Sequence, residues 1–219
     1  MWLTNIYNPL KASGIFRATL RTNLLKILIP AIVIALTSCS QPAVKEETAQ
    51  TSLGKNSKKS LTKAQREIYR DGVTALYKKD YATAEKIFKD FIHHKPELAG
   101  AYSNLALMHF KKKEYPQALT LVNQAIQLNP KQAQAYNLRG QLYIIDGKIH
   151  KAKDDYTRSI ELKPKYANAQ YNLALLYDIY LQEIELAIKH YEIYLSLLKK
   201  PDEATIEWIN HLKGTLNNA

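Results

Sequence analysis

The sequence predicts an all-α protein, about four stacked helix pairs closed by one C-terminal helix. Three observations predict it. Pro96, Pro130 and Pro164 stand 34 residues apart, as do Gly72, Ala106, Gly140 and Ala174, and in a third register Ala84, Ala118 and Ala152. The composition, with only 7 Gly and 8 Pro among 219 residues, favours helices over a turn-rich β fold. Large apolar residues recur at the same period, Ile68 with Tyr102 and Tyr136, and Phe88 with Val122 and Tyr156. Several registers sharing one period mark an internal repeat.

Each element follows from local chemistry. Order is expected from Thr62, where Thr62-Lys63-Ala64-Gln65 has the form of a capping box opening a helix. Repeats are expected over residues 65–98, 99–132, 133–166 and 167–200. A small residue in the first helix of each pair sits where its partner crosses closely, and Ala84, Ala118 and Ala152 fill the matching gap. The prolines fall just after the second helix, where a missing N–H does no harm. One pair cannot bury its own apolar faces, so neighbours must stack. In the fourth repeat Ala187 and Tyr191 lie one residue late, which predicts an insertion around 181–185. Pro201-Asp202-Glu203 opens a capping helix over 202–216, with Ile206, Ile209 and Leu212 at helical spacing. Gly214 is a candidate early stop, and Trp208 is expected to pack.

These registers resemble the tetratricopeptide repeat (TPR) family over residues 65–200, the third repeat most closely. The resemblance implies a right-handed α-solenoid whose first helices line a concave, peptide-binding groove. Carried over residue by residue, one groove row is Tyr69, Ser103, Asn137 and Tyr171, and a second is Val73, Leu107, Gln141 and Leu175. A third is Leu76, Phe110, Ile144 and Asp178, of which Leu76 and Ile144 read equally well as core. Asn104 and Asn172 match the groove asparagine that holds a ligand backbone. The carboxylate-clamp subtype is not expected, because its basic residues are missing.

The chain ahead of this region reads as an address. Lys11, Arg17, Arg21 and Lys26 lead into the apolar run 27–36, too short to span a bilayer. Leu36-Thr37-Ser38-Cys39 resembles the lipobox of bacterial lipoproteins, which implies a signal peptide over 1–38 and lipidation of Cys39, the single cysteine. Residues 39–61 are polar and predict a flexible tether with an r.m.s. span of roughly 25 Å. Ser40 after the cysteine implies the outer membrane, facing the periplasm, with inner-membrane anchoring as the alternative. The formal charge of +11 falls to +7 once the four leader cations are set aside, and reads mainly as solvated surface.

Catalytic chemistry is not expected. There is no Gly-rich phosphate loop, HExxH, GxSxG or paired-Cys motif, the six histidines are scattered, and Asp154-Asp155 reads as a solvated face. No cofactor, metal, nucleic acid or small-molecule substrate is expected. The layout predicts a scaffold for a protein or peptide partner, similar to pilotin-type lipoproteins of pilus or secretin assembly. An adaptor for peptidoglycan enzymes or proteases is the second possibility.

Overall fold

The computed structural model describes residues 60–217. Cys39, the leader and nearly all of the tether lie outside them. The described residues divide into two compact units, 60–164 and 165–217, each built of helices with no strand.

The first unit holds α1 (Lys63–Tyr77), α2 (Tyr81–His94), α3 (Ala99–Lys111), α4 (Tyr115–Leu128), α5 (Ala133–Ile145) and α6 (Ile149–Leu162). Each helix packs on the next, and α1, α3 and α5 also touch in sequence, so the first helices lie side by side. The capping box is present. The Gln65 amide donates to Thr62 Oγ1 at 3.2 Å and the Thr62 amide to Gln65 Oε1 at 3.0 Å, which satisfies two end donors of α1. Lys95, Asn129 and Lys163 close the second helices with ψ of 70°, 91° and 84°, outside the helical region that a following proline disfavours.

Small residues set the helix spacing. Ala84, Ala118 and Ala152 are fully buried. A Cβ built on Gly72 would lie 2.7 Å from Ile87 Cγ2, and one on Gly140 only 2.5 Å from the Tyr156 ring. Two apolar clusters fill the unit, one around Tyr69, Phe88, Phe91 and Met108, the other around Ala106, Phe110, Val122 and Leu142.

The turn inside each pair uses a left-handed residue at the repeat period: Lys79 (φ 65°), Lys113 (φ 63°) and Gly147 (φ 70°). Nothing lies within 4 Å of a Cβ at Gly147, so only the backbone resists a side chain there. Gly147→Ala should therefore lower stability by about 1 kcal/mol. Lys113→Gly should raise it, and paired urea melts of the two variants check both signs.

The second unit holds α7 (Ala167–Leu175), a π-helical turn (Leu176–Leu181), α8 (Ile184–Ser196) and α9 (Glu203–Leu216). The extra residue of the fourth repeat is taken up by the π-helical turn, after which Gln182 (φ 57°) makes the left-handed turn 35 residues beyond Gly147. The insertion is thus a widened helix end ahead of α8. α9 runs through Gly214 to Leu216, so that glycine does not stop it; no neighbour approaches its open side. Packing of α9 on α8 buries Ile209 and Leu212 against Ala187, Ile188 and Tyr191.

Candidate functional site

On α1, α3 and α5 the positions i, i+4 and i+7 form one stripe, the face assigned above to the groove. Burial divides that stripe. Tyr69, Ser103 and Asn137 are buried, and so are Leu76, Phe110 and Ile144. Between them Val73, Leu107 and Gln141 are half-buried. The middle row alone offers surface in all three repeats of the first unit.

The structure corrects the groove reading for the buried residues, each for a physical reason. Tyr69 turns toward its own second helix, edge-on to Phe88 and Phe91 at ring distances of 5.6 and 5.3 Å. Phe110 joins the second apolar cluster beside Tyr115. Ser103 and Asn137 are covered to 8% and 2% exposure, leaving too little surface to seat a ligand. Asn104 is half-buried, and its amide donates to the Tyr69 hydroxyl at 2.8 Å, tying repeat two to repeat one. Its side chain serves the scaffold before any ligand.

Ser103 Oγ and Gln134 Nε2 are buried with no hydrogen-bond partner. Such buried groups cost stability.

In the second unit Tyr171, Asn172 and Leu175 are half-buried. Tyr171 packs on Tyr194 and Tyr191 at ring distances of 4.8 and 5.7 Å. Asp178 has a different task from the one its register implies. Its Oδ2 accepts from Trp208 Nε1 at 2.7 Å and from the Tyr191 hydroxyl at 3.1 Å, fastening α9 to the fourth repeat. Trp208 is partly buried and packs as expected.

Burial raises the Asp178 carboxyl above its ordinary 3.8, the two hydrogen bonds opposing that rise. The folded chain thus holds this proton more tightly than the unfolded chain. Its contribution is fully present below pH 3.8 and declines as pH rises through the native value. Asn at 178 keeps an acceptor without the buried charge. Asp178→Asn should match the native protein near pH 3 and exceed it at pH 7, in urea melts at the two pH values.

The pair Arg139–Asp155 was not legible as a site feature. Arg139 Nε and Nη2 donate to the two Asp155 oxygens at 2.7 Å each, and Nη1 donates to Asn123 at 3.0 Å. Asp155 is buried, which corrects its reading as a solvated face. The guanidinium lies over Tyr136 and Tyr143 at 5.4 and 5.7 Å, and the Asp155 carboxylate raises its pKa further. One signal was available: Arg139 stands in the column of Leu105 and Leu173, both buried. A charge in an apolar column needs a buried partner.

Among the described residues no three His, Cys, Asp or Glu side chains cluster to hold a metal, and no helix is long and apolar enough to cross a membrane.

Two family models of the tetratricopeptide repeat match the chain, over residues 75–142 and 133–166. No curated protein matches the sequence. Among solved structures, a crystal structure of MamA is similar over 65% of this chain and 84% of its own, at 25% identity and a TM-score of 0.54. A second MamA structure is similar over 70% of this chain and 85% of its own, at 23% identity and a TM-score of 0.54. An O-GlcNAc transferase of Thermobaculum terrenum matches at 18% identity and a TM-score of 0.53, over 62% of this chain and 27% of that one. The last two likenesses are of fold alone.

Proposed function

We propose a function from one premise: the chain is a tetratricopeptide repeat protein, an array of the kind that serves as a protein-interaction module. It is a scaffold that holds an extended or helical segment of a partner protein against its first helices. The observation that carries this reading is the half-buried row Val73, Leu107 and Gln141, one residue per repeat at one spacing, flanked by buried rows. Two aliphatic residues and an amide suit a segment with apolar anchors and a polar backbone.

Location enters the proposal through the sequence. The basic segment, apolar run and Leu36-Thr37-Ser38-Cys39 support lipidation at Cys39, and Ser40 supports the outer membrane, facing the periplasm, over inner-membrane anchoring. The scaffold then serves assembly of an envelope machine such as a pilus or secretin.

The test uses variants of the half-buried row, whose side chains also border the core, with circular dichroism to check folding. Val73→Glu with Leu107→Glu should reduce capture of the partner from native membranes by about tenfold or more, with unchanged helical circular dichroism. Gln124→Glu, on the exposed face of α4, should capture normally. Equal capture by all three proteins would remove the row from the site. Substituting Tyr69 or Phe110 instead would test folding, because both are core. Labelling with palmitate, present in the native chain and lost in Cys39→Ser, tests the anchor separately.

A further inference from the structure

The turns between the two helices of repeats one and two carry Lys78 and Lys79, then Lys111, Lys112 and Lys113. Lys78 and Lys112 are the C-caps of α1 and α3, and Lys79 and Lys113 are the left-handed residues that follow. Because α1 and α3 touch, the two turns sit side by side along one edge of the first unit. Burial and, second, the Lys79 charge lower the proton affinity of Lys111.

The nearby acids are already engaged. Asp80 caps α2 through the Thr83 amide. Glu85 pairs with Lys89 at 2.7 Å, and Glu114 holds both Lys112 and His109. Among the described residues no ion pair takes Lys78, Lys79, Lys111 or Lys113. The helix C-termini account for part of this charge, since each end amounts to roughly half a negative charge. That accommodates one cation per turn and not two or three. Lysine at two left-handed positions, where the third repeat has Gly147, also runs against backbone preference. Exposed Tyr77 adds an aromatic ring beside the cluster.

We propose that this lysine edge is a docking surface for anionic lipid headgroups, which would lay the array against the membrane that anchors it. The proposal rests on the membrane attachment proposed above, and the sequence supplies the reach. The polar stretch 39–61, expected from its sequence to act as a tether, would span roughly 25 Å as a coil. α1, whose 15 residues separate its entry point from the lysine edge, is about 22 Å long. An anchored domain can therefore turn this edge to the bilayer. Clustered lysines with an interfacial aromatic match what an anionic surface attracts.

The test is lysine acetylation footprinting of the full chain on vesicles of phosphatidylcholine alone and with about a third phosphatidylglycerol. Lys78, Lys79, Lys111 and Lys113 should label at least about fivefold more slowly on the anionic vesicles, and the protection should vanish in high salt. Lys131 and Lys165, exposed in the turns between repeats, should label equally on both. Uniform protection of all lysines, or none at the edge, would overturn the proposal. So would protection by an oligonucleotide without protection by anionic vesicles. Failed palmitate labelling with intact edge protection would remove the anchor and leave the lipid surface standing.

Discussion

Arg139→Leu should lower stability by about 3 kcal/mol, and adding Asp155→Leu should restore most of it. The single change removes a bidentate partner from a carboxylate whose side chain is 7% exposed, and an unpaired buried charge is among the costliest defects a core can hold. The double change reproduces repeat two, where Leu105 and Leu121 occupy the same two registers in an apolar environment. Pairs of this kind exchange for well-packed apolar residues at little cost, so the coupling between the two sites should be large and favourable. Urea melts of the native chain, both single variants and the double variant measure it. Equal losses that simply add would show that the pair does not act as a unit.

Gly140→Ala should destabilise the protein by about 1–2 kcal/mol, although alanine is the better helix former by roughly 1 kcal/mol. The new methyl would sit 2.5 and 2.7 Å from two ring carbons of Tyr156, which is 3% exposed and has no room to retreat. Overpacking of a closed core outweighs the propensity gain. Two comparisons isolate the cause. Gly214→Ala, with nothing within 4 Å of its Cβ, should stabilise. Gly140→Ala with Tyr156→Val restores the combination in repeat two, where Ala106 and Val122 share a cluster, and should recover much of the loss. Thermal melts of the three variants check signs as well as sizes.

Both predictions take repeat two as a template, which marks what was legible in the sequence. The fold class could be read because a repeat states its packing several times: Ala84, Ala118 and Ala152 reveal one constraint through three copies. The register slip before Ala187 was visible for the same reason. Its π-helical solution was not, because spacing shows that a residue is extra and not where the backbone absorbs it. The groove was legible by row and not by depth. Tyr69, Val73 and Leu76 lie on one face of α1, and helical periodicity cannot say that the first turns toward Phe88 and Phe91 while the second stays half-buried. Asp155 was misread because two adjacent aspartates look solvated until Arg139, 16 residues away, closes on one of them. Asp178 was assigned to the ligand face because its partner Trp208 lies on a helix outside the repeat pattern.

The scaffold reading narrows accordingly. The proposed contact with a partner falls on the middle row of the first helices, because the buried rows and Asp178 pack within the array. Placing a photocrosslinking amino acid at Leu107 and, separately, at Gln124 in the native host tests this most directly. The account predicts a discrete protein adduct from position 107 and none from position 124. An adduct from 124 alone, or equal adducts from both, would contradict it.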